Sequence, residues 1–230
     1  MVQSKGHGHG SPVPAWTFRL FGFPIRAEPL FFVVTLFLGA RGRRLDTLAL
    51  WIVAVFVSVI AHELGHAFAG RRYGLSPEIR LHAMGGLTSW RTRRPLTPRQ
   101  DLMVTLAGPL AGFALAGLVW LIAPVLFADP ARLTEELIRD LIFVNVAWGL
   151  FNLLPIQPLD GGQATRALVH LFRGQRDEIL PLQISLFVGV PVVLWLFSRR
   201  DPTAAALVGF MLFSNYQALR AQLAASGRLR

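Results

Sequence analysis

Residues 47–70 read TLALWIVAVFVSVIAHELGHAFAG, an apolar run whose only ionisable residues are His62, Glu63 and His66. The run exceeds the ~20 residues a helix needs to cross a bilayer core. Ionisable groups inside such a helix are costly and usually face a polar interior, and here three fall within five positions. In a helix, His62 and His66 project from one face at i and i+4, so both imidazoles can reach one ion. Glu63, next to a ligand, can approach a water at that ion, the arrangement that gives His-Glu-x-x-His its hydrolytic chemistry. The competing reading is a pair of core histidines with a hydrogen-bonded glutamate.

The rest of the chain agrees with a membrane setting. Its 230 residues are 53% hydrophobic and 16% charged, too apolar for an ordinary soluble domain. The net charge of +10 sits in short clusters between apolar runs without interleaved aromatics. That pattern fits loops meeting anionic headgroups and membrane lipids, and no nucleic-acid partner is expected. With no cysteine there is no disulfide framework or thiolate ligand, so a metal must take His and carboxylate donors. Residues 1–16, MVQSKGHGHGSPVPAW, lack an apolar core and read as a flexible N-terminal tail rather than a secretory signal. His7 and His9 in this tail are not read as ligands. The remainder, 17–230, reads as one membrane-embedded domain.

Apolar stretches at about 29–40, 47–70, 102–127, 141–156, 182–197 and 203–219 give an all-α polytopic membrane protein with about six transmembrane helices. The first and fourth are short and need flanking residues or tilt. With the N-terminus inside, Arg41, Arg43, Arg44, Arg132, Arg139, Arg199 and Arg200 lie outside, and the other sixteen of the 23 basic residues lie in the cytoplasm. The positive-inside rule therefore favours cytoplasmic termini. The stretch ATRALVHLFRGQR, ending at Arg176, sets Ala167, Leu168, Leu171 and Phe172 on one face and arginines on the other, as in a short interfacial helix. Two pieces, 17–28 (TFRLFGFPIRAE) and 76–90 (SPEIRLHAMGGLTSW), alternate in part and carry the breakers Gly22, Pro24, Gly85 and Gly86. They read as short membrane-associated β-strands that pair with each other or line a polar cavity. The Gly85-Gly86 pair is either a bulge or a place of close approach.

Two histidines do not complete a catalytic zinc site, which generally takes three protein ligands. The best third ligand is Asp160, in Asn152-Leu-Leu-Pro155-Ile-Gln-Pro158-Leu-Asp160-Gly-Gly162. Prolines break the preceding helix and the glycines free the backbone, so the carboxylate can be aimed at the ion. Asp160 could equally cap the next helix. In the six-span topology His66 and Asp160 fall at one depth, toward the cytoplasm. Asn145 reads as a polar contact between helices, and Gly108, Ala111, Gly112 and Gly117 as a face for close packing. His82 and His170 are not read as ligands.

Taken together, Phe21-Gly-Phe-Pro-Ile-Arg26, His62-Glu-Leu-Gly-His66, Gly85-Gly86, Ala107-Gly-Pro-Leu-Ala-Gly112 and Asn152 through Gly162 resemble the site-2 protease family of intramembrane metalloproteases, especially its small bacterial members. The resemblance implies one Zn2+ per chain on His62, His66 and Asp160, with Glu63 as catalytic base. It also implies a catalytic role for Asn152 near the scissile carbonyl, although the residue could simply satisfy backbone groups freed by Pro155. It further implies a transmembrane protein substrate cut near the cytoplasmic side, and residence in a bacterial cell membrane. Relatives often carry PDZ or CBS domains, and neither is expected here. The rivals are a membrane zinc transporter, which needs no glutamate between the histidines, and a catalytically inactive membrane-protein binder.

Overall fold

The computed structural model describes residues 15–40, 44–91, 95–126, 131–173 and 177–227. Most of the tail expected at 1–16, including His7 and His9, lies outside the described residues. The chain first forms two strands, β1 (Trp16–Leu20) and β2 (Phe23–Ala27). The stretch 17–28 is thus a hairpin rather than one strand. Phe21 and Gly22 take φ of 50° and 84°, the two positive values a two-residue type I′ turn requires. Helices α1 (Pro29–Gly39) and α2 (Leu45–Arg72) follow, then β3 (Ser76–His82) and β4 (Gly85–Arg91).

The four strands make one sheet in the order β1-β2-β3-β4. Both hairpins are antiparallel, and β2 and β3 pair in parallel across the α1–α2 crossover, with Ile25 opposite Ile79 and Ala27 opposite Leu81. The two pieces read as strands do pair with each other. Ile25, Ile79 and Leu81 are fully buried and pack with Phe31, Trp51, Val55, Ile60, Leu64 and Ala67, so the sheet lies against the half of α2 that carries the His-Glu-x-x-His run.

The remaining helices are α3 (Pro98–Leu126), α4 (Arg132–Phe143), a π-helical turn at Val144–Trp148, α5 (Gly149–Asn152), the amphipathic α6 (Asp160–Arg173), α7 (Ile179–Ser198) and α8 (Pro202–Ala225). The interfacial helix expected before Arg176 corresponds to α6. Asp177 accepts the backbone N–H groups of Leu180 and Ile179, which starts α7 and holds its carboxyl below the usual carboxylate range.

Among the described residues, α2, α3 and α7 are long and apolar enough to cross a bilayer, with mean hydropathy of 2.0, 2.1 and 2.2. Their outward positions remain apolar: Leu118, Trp120, Leu121 and Val125 on α3, and Phe187, Leu194, Trp195 and Phe197 on α7, are all exposed. In water so large an apolar surface would drive aggregation. It is a lipid-facing surface, and the chain is an integral membrane protein. The expected six spans are fewer on this criterion. Helix α1 has 11 residues, about 16 Å at 1.5 Å per residue, and α4 carries Arg132, Glu135, Glu136, Arg139 and Asp140 in its first nine positions.

Candidate metal centre

Helices α2 and α3 cross where glycine replaces side chains. A Cβ at Gly65 would lie 2.3 Å from the Ala107 carbonyl oxygen, and one at Gly108 would lie 2.2 Å from His66 Nε2. Two backbones can approach this closely only where both contact residues are small. The contact brings the Val104 carbonyl of α3 to 2.8 Å from His66 Nδ1. A carbonyl only accepts, so Nδ1 carries a proton and Nε2 is the ring nitrogen left to serve as a ligand. Gly112 continues this small face, with Asn145 Oδ1 3.3 Å from where its Cβ would be, whereas Gly117 faces open space. Asn145 donates to Ser58 Oγ at 2.7 Å and to the Leu141 carbonyl at 2.8 Å. It is the interhelical polar contact read from the sequence.

The third group arrives from the other end of the chain. After α5 the backbone turns through Leu153–Leu159 and enters α6 at Asp160. Its carboxylate lies 2.9 Å from His62 Nε2 and 3.5 Å from His66 Nε2, while the two Nε2 atoms are 3.2 Å apart. Atoms held ~2.0–2.1 Å from one tetrahedral Zn2+ lie about 3.3 Å from each other, so these separations fit such an ion. The donor set agrees: two imidazole nitrogens and a carboxylate, in a chain with no thiolate to offer, are ligands that Zn2+ takes.

Glu63 also belongs to the cluster, with a carboxylate oxygen within 4.8 Å of the ring nitrogens of His62 and His66. It differs from Asp160 in its partners. The hydroxyl of Thr88 lies 2.6 Å from Glu63 Oε2 and 3.1 Å from the Glu63 carbonyl, and a Cβ at Gly86 would lie 2.4 Å from Oε1. Strand β4 therefore braces a buried Glu63. The close approach at the glycine pair belongs to Gly86, and the approaching group is the chain's own carboxylate. Gly85, with φ of 113°, begins β4 in a conformation suited to glycine.

The structure brings together His62, Glu63, His66 and Asp160. Asn152 closes α5, half-buried, and among the described residues no hydrogen bond joins it to the cluster. His82 accepts the Met84 N–H in the β3–β4 turn, and His170 faces Glu178 at 3.6 Å, so neither adds a ligand. Thr88 is the participant the sequence reading missed. It stands two positions after Gly86 on the same face of β4, a pattern meaningful only once β4 is seen to lie on α2.

A sequence model of peptidase family M50 matches residues 50–141 and 128–196, which take in the His-Glu-x-x-His helix, the α2–α3 crossing and the Asp160 turn. The chain belongs to peptidase family M50. Among curated relatives, a zinc metalloprotease of Methanocaldococcus jannaschii is 34% identical over 66% of this M50 chain and 44% of its own length. Rip2 of Mycolicibacterium smegmatis is 32% identical over 74% of this chain and 81% of its own length. The solved structure of the site-2 protease from M. jannaschii superposes with a TM-score of 0.63 at 25% identity, covering 90% of this chain and 95% of that one. The M50 chain spans less than half the length of some relatives it matches, 44% for the M. jannaschii protein and 45% for one from Synechocystis.

Proposed function

We propose that this M50 chain is an intramembrane zinc endopeptidase that hydrolyses a peptide bond of a transmembrane protein near the cytoplasmic side of the membrane. His62, His66 and Asp160 hold one Zn2+, Glu63 is the general base, and the protein resides in a bacterial cell membrane. The observation that carries this reading is the convergence, from α2 and α6, of two Nε2 atoms 3.2 Å apart and a carboxylate with Oδ2 2.9 Å from His62 Nε2 and Oδ1 3.5 Å from His66 Nε2. Glu63 stands beside them with a different tether. Asp160 faces the two Nε2 atoms directly, as suits a ligand, whereas Glu63 is held by Thr88, as suits a base that must keep its aim without binding the ion. A transporter has no need of a separately braced carboxylate, so this arrangement favours hydrolysis.

Bound Zn2+ would supply Lewis-acid polarisation of the scissile carbonyl. Glu63 takes a proton from the attacking water and passes it to the departing amine. Thr88 keeps the Glu63 carboxylate turned toward that water, and Val104 keeps His66 in the tautomer whose Nε2 faces the centre. Asn152, at the end of α5, contributes a polar group near the substrate carbonyl.

The topology proposed is six spans with both termini in the cytoplasm, in which α4, the π-helical turn and α5 form one span. Ion pairs support the alternation. Arg132 meets Asp46 at 2.7 Å, bringing the starts of α2 and α4 to one end. Arg166 meets Asp101 at 3.6 Å and Glu178 at 3.9 Å, bringing α6 and the starts of α3 and α7 to the other.

The test measures zinc content and cleavage of a transmembrane substrate on the same preparations. His62→Ala and His66→Ala should lose most zinc, and Asp160→Asn should weaken its retention. Glu63→Gln should keep zinc while cleavage falls ~10²-fold or more. Normal cleavage by Glu63→Gln would sink the mechanism.

A further inference from the structure

Ser185 and Asn215 are polar residues deep in the last two apolar helices, 0% and 5% exposed, and nothing in the proposed chemistry uses them. Such groups are costly in a membrane protein unless partnered. Both find the same partner. Asn215 Nδ2 of α8 donates to the Gln157 carbonyl at 2.9 Å, and the Gln157 N–H donates to Ser185 Oγ of α7 at 3.1 Å. The Ser185 hydroxyl spends its one proton on the Pro181 carbonyl at 3.0 Å, which leaves an oxygen lone pair for Gln157. Both main-chain groups of one residue in the turn before Asp160 are therefore held by side chains from outside it.

The rest of the turn is fixed by contact. Ile156 is fully buried and Leu159 nearly so, both against Val208, Met211 and Leu212 of α8. A Cβ at Gly161 would lie 2.1 Å from the Leu153 carbonyl oxygen, and one at Gly162 would lie 2.5 Å from the Gln157 nitrogen. The first turn of α6 thus rests on the backbone that Ser185 and Asn215 clamp. Gln157 stands three residues before Asp160, so a displacement at Gln157 passes directly to the carboxylate.

We infer that Ser185 and Asn215 are positioning residues that set the zinc affinity of the centre by clamping Gln157 and so fixing where Asp160 points. The inference rests on the zinc site proposed above. Partners that orient a metal ligand typically change affinity about tenfold to a hundredfold when removed. The experiment uses the full chain in detergent, with Zn2+ affinity from competition against a chromophoric chelator and a thermal melt for each variant. Ser185→Ala and Asn215→Leu should each weaken Zn2+ binding by about tenfold or more, and the smaller Asn215→Ala, which likewise has no donor for the carbonyl, should do the same if the leucine variant fails to insert. Leu219→Ala opens a cavity one turn after Asn215 on α8, at a buried residue outside the apolar cluster on the turn. It should lower the melting temperature and leave Zn2+ affinity unchanged. Wild-type affinity in Ser185→Ala and in the Asn215 variants, alongside weakened binding in Asp160→Ala, would overturn the inference alone. An equal loss in Leu219→Ala would also overturn it, since any loosening of α8 would then suffice. Unchanged affinity in Asp160→Ala would overturn both the zinc-site reading and the inference built on it.

Discussion

At the scale of single residues, the candidate site was legible where it obeys helical spacing and obscure where it depends on tertiary contact. His62, Glu63 and His66 declare themselves because i and i+4 share a face. Asp160 is almost a hundred positions away, and only its proline- and glycine-rich setting and the family resemblance pointed to it. Thr88 gave no local sign, for a threonine in a strand is ordinary and its contact with Glu63 spans 25 positions. Ser185 and Asn215 did carry a signal, as polar residues inside apolar runs, but their partner is a backbone that sequence cannot locate. The Thr88 contact makes a prediction. Thr88→Val keeps the shape and deletes the donor to a buried carboxylate, so kcat should fall by ~10- to 100-fold, the scale of misplacing a catalytic group by about 1 Å. Zinc content should not change, and Thr88→Ser should retain most of the rate. A valine variant with unchanged kcat on a transmembrane substrate would assign Thr88 to packing alone.

At the scale of elements, the described apolar runs became helix, except that the run read as 141–156 leaves the helix for a turn after Asn152, while the strand boundaries shifted for reasons the pattern does not encode. Phe21 sits at φ 50°, a left-handed conformation that a bulky residue adopts only under tertiary compulsion, so a two-strand hairpin was read as one segment. The parallel β2–β3 pair needs two helices to fold between its strands, a non-local event. The outcome leaves β4 as one edge of the sheet, with Gly86 and Thr88 against Glu63. A substrate helix must unwind before attack, because its carbonyls are already hydrogen-bonded, and an edge strand offers replacement main-chain bonds. Proline at Leu87 removes the N–H that faces Arg80 within the β3–β4 pair and so distorts the edge strand while touching no proposed ligand. Leu87→Pro should therefore keep zinc and lose cleavage. Should a correctly inserted, zinc-loaded Leu87→Pro protein cleave at the wild-type rate, strand addition at β4 is excluded and the metal centre is unaffected.

At the scale of the whole molecule, the span count depends on how α1, the α4–α5 rod and α8 meet the bilayer. None of the three meets the length-and-hydropathy criterion that α2, α3 and α7 meet among the described residues. The Asp46–Arg132 pair and the Asp101–Arg166–Glu178 group mark two opposite ends, and the charged residues of α4 gather in its first nine positions, at the Asp46 end. A span whose polar half lies at the interface and whose apolar half continues through Val144–Trp148 needs less hydrocarbon thickness than its 132–152 length suggests. In the proposed topology the distribution of arginine sets the direction, with the Asp101 end in the cytoplasm. A chain with no cysteine allows a direct check with single cysteines and a membrane-impermeant thiol reagent. Cysteine at Thr97, just before α3, should react only when the cytoplasmic face is exposed, and cysteine at Arg199, between α7 and α8, only from the opposite face. An α1 that failed to span would leave Thr97 and Arg199 on opposite faces while moving the N-terminus, so a third cysteine at Trp16 decides that point. Labelling of Trp16 from the Thr97 face is the expected result, and labelling from the Arg199 face would reduce the count to five spans.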